Sequence, residues 1–335
     1  MFSEKKGPVS RPYTNRAARN TEGVLVMIDW CAFTFQGLSV SEVCGFLKRH
    51  EDGEGSEFVD VEVGALGYKG QKILGNVRVF FDGAPAMGVH VEVSGKGCRE
   101  LESYKVTDWG HFFGEVHSRG GVFTRLDVAI DDRAGLVQMG AIKQAIITGD
   151  LVSRWRSGRC VTAFALGGEG GMQGETFYFG SAQSRIQLRI YDKAAEQGVV
   201  GEHWVRVELQ ARRERADSLA WGYLFGADEF VAGILRSYLE FKQRSGDSNK
   251  SRWPIAGWWD AFLGHVAEAR LATAAAVRTL EGSILWLKRQ VAPTLAMLVE
   301  CSGGDLGPLL KVMATGQVRY RSWHRNIIAA CAAGG

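Results

Sequence analysis

The sequence predicts an α+β fold, an antiparallel sheet built from the first two thirds of the chain and followed by a mainly helical C-terminal part. Three observations carry this. Between about residues 22 and 210 the chain is a series of short runs that alternate or are wholly apolar, the pattern of strands. After about residue 214 the apolar spacing lengthens to a helical period, as in "SLAWGYLFGADEFVAGILRSYLEFKQ". Glycine is abundant at 43 residues and proline scarce at 6, which suits a sheet with many turns.

Residues 1–21 are polar and basic, with no apolar segment to act as a secretory signal or anchor, so the chain is expected in the cytoplasm. The strands then follow as "GVLVMIDWCAFTF", "FVDVEVG", "VRVFFDG", "GVHVEVSG", "FTRLDVAIDD", "RCVTAFALGG", "ETFYFGS", "IQLRIYDK" and "HWVRVELQARR". Two helices interrupt them. "SVSEVCGFLKRH" has Ser39 or Ser41 as its cap, and "GLVQMGAIKQAIITGD" ends at Gly149. The helical part includes "WWDAFLGHVAEARLATAAAVRTLEGSILWLKRQVAP", and "KQRSGDSNKSRWP" reads as a loop. The organisation expected is a tail over 1–21, a sheet domain over 22–215 and a helical domain over 216–335.

With 46% hydrophobic and 23% charged residues, the 335-residue chain has the makings of a sizeable core. The most apolar stretch, "SILWLKRQVAPTLAMLVEC", is broken by Lys288, Arg289 and Pro293, so no membrane span is expected. The six cysteines show neither metal-finger nor CxxC spacing and read as reduced thiols. A net charge of +3 neither requires nor excludes a nucleic-acid partner.

Counting by twos exposes a polar face shared by several strands. Val89, Val91 and Val93 oppose His90 and Glu92; Leu126, Val128 and Ile130 oppose Arg125, Asp127 and Asp131. Ile186, Leu188 and Ile190 oppose Arg185, Gln187, Arg189 and Tyr191, while Val205, Val207 and Leu209 oppose Trp204, Arg206, Glu208 and Gln210. A sheet with one wet face alternates by default, and solvated charges account for any one of these strands. Acidic residues are poor strand formers, however, and several on one face repel one another unless a divalent cation relieves them. Oxygen ligands favour magnesium or manganese. A tyrosine beside such a site points to phosphodiester chemistry, with the phenol as nucleophile and a cation needed to activate it: the metal, Arg189 or Lys193. Lys193 lies on the tyrosine's side if the strand extends that far, and is otherwise a turn lysine.

At these residues the chain resembles the replication initiation factor family, the initiators and relaxase-like proteins of rolling-circle plasmids, filamentous phages and conjugative elements. The stretches that carry the resemblance are "IDWCAFTF", "GVHVEVSGKGCREL", "TRLDVAIDD", "TFYFGSAQSRIQLRIYDK" and "WVRVELQARR", in that order. The resemblance implies a metal-dependent endonuclease and strand transferase that nicks an origin through a tyrosine. By motif position Tyr191 is the nucleophile, Asp127 and Glu208 are metal ligands, and Asp131 and Glu92 are further candidates. Neighbouring cations, Arg185, Arg206, Arg212 and Arg213, are assigned to DNA. The His-hydrophobic-His motif of other rolling-circle nucleases is missing, and "HVE" at 90–92 is a loose echo of it.

Outside that face, "LGGEGGMQGET" reads as a hairpin loop and "SGKGCREL" as a glycine turn. "RYRSWHRN" mixes Arg319, Arg321 and Arg325 with aromatic rings, a pattern fitting stacked bases as well as a solvated helix. The expected partner is origin DNA, single-stranded or as a hairpin or duplex; a host helicase and a dimeric state stay open. Rival functions are a mobilisation relaxase, a DNA-binding regulator without the reaction, and a structural module.

Overall fold

The computed structural model describes residues 23–48, 57–104, 108–166, 171–268 and 287–317, with single positions at 284, 325, 328, 329, 331 and 332. The N-terminal tail and all of "RYRSWHRN" except Arg325 lie outside the described residues.

The fold is α+β, organised on a ten-stranded sheet in the order β2-β3-β4-β5-β1-β6-β11-β10-β9-β8. In chain order its strands are β1 (Val24–Phe35), β2 (Val59–Val61), β3 (Gly70–Leu74), β4 (Val77–Phe81), β5 (Val89–Val93), β6 (Val122–Asp132), β8 (Gly158–Ala165), β9 (Gly171–Phe179), β10 (Ile186–Asp192) and β11 (Val205–Arg212). Every pairing is antiparallel. A separate short pair joins β7 (Leu151–Ser153) to β12 (Leu239–Phe241).

One face of the sheet carries the alternating apolar residues into a single core, with Phe33, Phe35, Val91, Val128, Leu188 and Val207 all buried. Its cover includes α1 (Val40–Lys48), α3 (Trp109–Ser118), α6 (Glu214–Tyr238) and α7 (Gly257–Glu268). Ser39 rather than Ser41 caps α1: its hydroxyl accepts from the Glu42 amide at 3.3 Å while the Glu42 carboxylate accepts from the Ser39 amide at 2.8 Å. Helix α4 (Met139–Thr148) stops at Gly149, whose φ of 68° is the left-handed conformation glycine adopts without penalty.

Two expectations are corrected here. "SGKGCREL" is not a turn but the start of helix α2 (Gly95–Tyr104). The Ser94 carbonyl accepts from the Cys98 amide at 2.7 Å, and Gly97 is needed because a Cβ there would stand 2.7 Å from the Asn76 carbonyl oxygen. Nor does the packing divide at residue 215. Helices α6 and α7 place Leu219, Leu235, Trp259 and Phe262 in the same core as the strands. Trp259 is wholly buried, stacks on Phe262 at 5.2 Å and donates its indole N–H to the Leu239 carbonyl at 3.1 Å. The helical part does continue beyond, as α8 (Ala292–Cys301) and α9 (Gly307–Gln317). Among the described residues no helix is long and apolar enough to cross a membrane.

Candidate active site

Strand register sets the site. On the face opposite the core, Asp131, Arg206 and Tyr191 lie in one cross-strand row over β6, β11 and β10. The next row holds Ala129, Glu208, Arg189 and Tyr178, the last on β9. A third holds Trp30, Asp127, Gln210 and Gln187. Glu208 and Asp127 are therefore diagonal neighbours, close enough for their charges to act on one another.

Tyr191 is only 4% exposed. Its hydroxyl donates to Glu208 Oε2 at 3.4 Å, and the Arg189 guanidinium, 4.9 Å from its ring centre, donates to the same oxygen at 2.6 Å. Burial pushes the phenol well above its usual range, the Glu208 charge pushes the same way, and Arg206 and Arg189 oppose them. The tyrosine is thus a protonated phenol at neutral pH, held so first by burial and then by the Glu208 charge.

Burial also dominates the acids. It raises Asp127 despite the bonds from Arg125, with Nη2 to Oδ2 at 2.6 Å, and from Gln210 at 2.9 Å. Glu208 is pushed up to about 7 by burial, against the pull of Arg189 and with a further push from Asp127 and Asp29. A carboxyl whose value rises on folding favours the protonated folded form, so the metal-free protein loses stability as the pH climbs from about 4.5 to about 7. Glu208→Gln is accordingly expected to stabilise the metal-free protein at about pH 8, by on the order of 1 kcal/mol, with no gain at about pH 4. Melting curves in EDTA at both pH values check this; a lower melting temperature than wild type at the higher pH would show the charge to be a net stabiliser.

The remaining predicted residues divide. Asp131 accepts from Arg206 Nε at 2.5 Å and Nη2 at 2.9 Å, and so serves an internal ion pair. Arg206, 5% exposed, is buried in that pair rather than presented to DNA, a correction that follows from its neighbours: a second carboxylate, Asp29, accepts from its Nη1 at 3.2 Å. Glu92 stands apart, because β1 runs between its strand and β6 and the register sets Ala32 between Glu92 and Arg125. Its neighbour His90 bonds to the Thr34 hydroxyl at 2.8 Å. Strand β10 ends at Asp192, so Lys193 begins the short helix α5 (Lys193–Glu196); its ammonium pairs with Glu196 yet still lies 5.6 Å from the centre of the Tyr191 ring. Arg185 is exposed and pairs with Glu214. Arg212 is half-buried and donates to Gln210 and to the Ser184 carbonyl, whereas Arg213 is exposed at the start of α6.

Asp29 and Arg125 were not among the predicted site residues. The signal for Asp29 is a change of parity in β1: apolar positions run Val26, Ile28, then Cys31, Phe33, Phe35. That shift is a β-bulge between Ile28 and Trp30, which accommodates the extra residue, Asp29.

Among the described residues no three His, Cys, Asp or Glu side chains converge to enclose a metal. Asp127 and Glu208 do fit the looser site of a hard cation that keeps waters and takes one or two carboxylates together with a substrate phosphate. Both are oxygen donors, 2% exposed, and mutually repelling.

The profile of the family described as Replication initiation factor matches residues 121–313, and that of the Rolling Circle replication initiation protein N-terminal domain matches residues 25–115. The chain is 31% identical over 252 residues to the Bacillus subtilis (strain 168) protein named "Putative DNA relaxase NicK", covering 71% of each. A solved structure, a rolling circle replication initiator protein from Geobacillus stearothermophilus, is similar with a TM-score of 0.69 and 32% identity, over 75% of this chain and 99% of that one.

Proposed function

The chain belongs to the replication initiation factor family, and on that premise we propose that it is a site-specific DNA nickase and strand transferase that starts rolling-circle replication. The observation that carries the reading is the Tyr191 hydroxyl set among Glu208, Arg189 and Arg206 on one sheet face.

In this reading Tyr191 Oη attacks the scissile phosphorus. A P–Oη bond forms, the P–O3′ bond breaks, the 5′ end stays on the protein as a phosphotyrosyl ester, and the proton given up by the phenol is replaced by one on the departing 3′ oxygen. That 3′-OH primes synthesis. Arg189, whose side chain is 37% exposed, is the guanidinium able to reach a phosphate. Arg206, clamped by Asp131 and Asp29, holds a fixed positive charge next to the phenol. Asp127 and Glu208 would hold a magnesium or manganese ion, which supplies neutralisation of phosphate and carboxylate charge when bound. Lys193 adds a cation against the tyrosine ring.

Two results test this. Incubation with supercoiled or single-stranded origin DNA and magnesium is expected to give nicked product whose 5′ end is protein-linked and survives denaturation. Excess EDTA is expected to stop the reaction, and Asp127→Ala to slow it by on the order of 100-fold or more; full nicking in EDTA would contradict the metal site. The similarity to a protein named a putative DNA relaxase favours a second reading, a relaxase that nicks by the same chemistry without priming replication. Extension of the released 3′-OH by a polymerase in a plasmid replication assay separates the two.

A further inference from the structure

Strand β8 ends the ten-stranded order, and among the described residues no strand lies beyond it. The Gly180 amide donates to the Ser157 carbonyl at 3.0 Å, which sets the phase of the β8–β9 ladder. Ser157, Arg159 and Val161 turn their backbone groups toward β9, so Gly158, Cys160 and Thr162 turn theirs outward. That row of N–H and C=O groups at strand spacing is a template on which a further extended chain can pair. Apolar side chains flank it, with Val161 and Phe164 both exposed.

Beside this edge, on the core side of the sheet, the helical cover leaves a gap. A cavity of about 550 Å³ opens between β8, β9 and α4. Its floor is the core layer itself, Trp155, Phe177 and Phe179, and its far wall includes Ile147 of α4, 70% exposed. The residues that β8 turns to this face are small: Gly158, Cys160 and Thr162 stand across from Phe179, Phe177 and Glu175. A chain laid along β8 therefore directs every second side chain toward the cleft.

Charge then selects the occupant. Lys143, Arg156 and Lys250 rim the cleft, none of its described lining residues is acidic, and Arg159 leaves the other face of β8 to lie 4.4 Å from the Tyr178 ring centre. Lys143 is taken up by Glu175 at 2.8 Å, but among the described residues no carboxylate pairs with Arg156, Arg159 or Lys250. The Lys250 ammonium is fixed at the mouth, donating to the Gly149 carbonyl at 2.6 Å. A second copy's β8 does not suit this edge, because pairing the two strands would set Arg156 and Arg159 against their own counterparts. Nor does a nucleic-acid strand, whose backbone offers no donors at peptide spacing to the outward row.

We propose that the β8 edge and the cleft beside it dock an extended acidic segment of a partner protein, added to the sheet as a further strand. Its backbone pairs with Gly158, Cys160 and Thr162, alternate apolar side chains enter the cleft over Trp155 and Phe177, and its carboxylates neutralise Arg156, Arg159 and Lys250. The cleft lies on the face of the sheet opposite Tyr191, so this docking is independent of the nicking chemistry.

The test is fluorescence anisotropy of the full chain with a fluorescein-labelled synthetic peptide of alternating Phe and Asp, ended by Asp on both sides. Binding is expected to weaken with added salt and to be about tenfold or more tighter than for the same peptide with Lys in place of Asp, or with Ala in place of Phe. Arg156→Glu combined with Lys250→Gln is expected to weaken it about tenfold at an unchanged melting temperature, since both side chains are exposed and the Gln amide can still donate to Gly149. Thr162→Pro, which removes an outward N–H and spares the ladder to β9, is expected to abolish it; if that variant melts lower, the charge variant and the two control peptides decide. No binding of the acidic peptide, equal binding of the Lys peptide, or wild-type affinity in the charge variant would overturn the proposal. So would self-association of the chain that the charge variant abolishes, which would give the edge to a second copy, or an equal loss of oligothymidylate affinity in that variant, which would give it to nucleic acid.

Discussion

Tyr191→Phe is expected to abolish the covalent DNA adduct, lowering strand cleavage by a factor on the order of 10⁴ or more, as removal of an enzyme's nucleophile does. The substitution takes away a single oxygen. The ring keeps its place under the Arg189 guanidinium, and the lost hydrogen bond is a long one, 3.4 Å to Glu208. Stability is therefore expected to change by less than about 1 kcal/mol, and DNA affinity to stay near wild type. The competing phenol is Tyr178, which lies on the same face directly across from Arg189. Tyr178→Phe is expected to keep the adduct. Gel analysis of both variants with radiolabelled origin DNA distinguishes them, and an adduct with Tyr191→Phe but not with Tyr178→Phe would transfer the assignment to Tyr178.

A chain ended after residue 215 is expected not to fold. The sheet needs a cover for its apolar face, and that cover includes α6 and α7, with Leu219, Leu235, Trp259 and Phe262 each 2% exposed or less. Truncation at 215 strips all of them and leaves a large apolar surface in water. Even the single change Trp259→Ala is expected to cost about 3 to 5 kcal/mol, the usual loss when a large buried ring becomes a cavity. A chain ended after Glu268 keeps both helices and is expected to melt cooperatively. Circular dichroism and a thermal melt on the two fragments check this; a cooperative melt from the shorter one would mean that the helices are dispensable to the core.

Much of this was legible in the sequence, for reasons that lie in the period of two. Alternation placed Asp127, Arg189, Tyr191, Arg206 and Glu208 on one polar face, and the register brings those positions together. What alternation does not contain is strand order, so Glu92 looked equivalent to Asp127 although β1 runs between their strands. Nor does it contain burial. Arg206 reads as a free cation in the sequence, but the bulge that accommodates Asp29 in β1 supplies, with Asp131, two carboxylates to enclose it. Helix α3 is hidden from a search by period because its polar side is short: in "WGHFFGEVHS" Gly110, Phe112, Phe113, Val116 and His117 are all buried, and its cap, Asp108, accepts from the Gly110 amide at 2.7 Å. The change of period near residue 215 marks where strands give way to helices and says nothing about which core the helices join.

The nucleophile is identified most directly by trapping the covalent complex on origin DNA with magnesium, digesting it with protease and nuclease, and locating the residual nucleotide by mass spectrometry. A 5′-phosphotyrosyl nucleotide is expected on the peptide containing Tyr191. A nucleotide found on Tyr178 or any other residue, or nicked origin DNA with no nucleotide left on the protein, would contradict it.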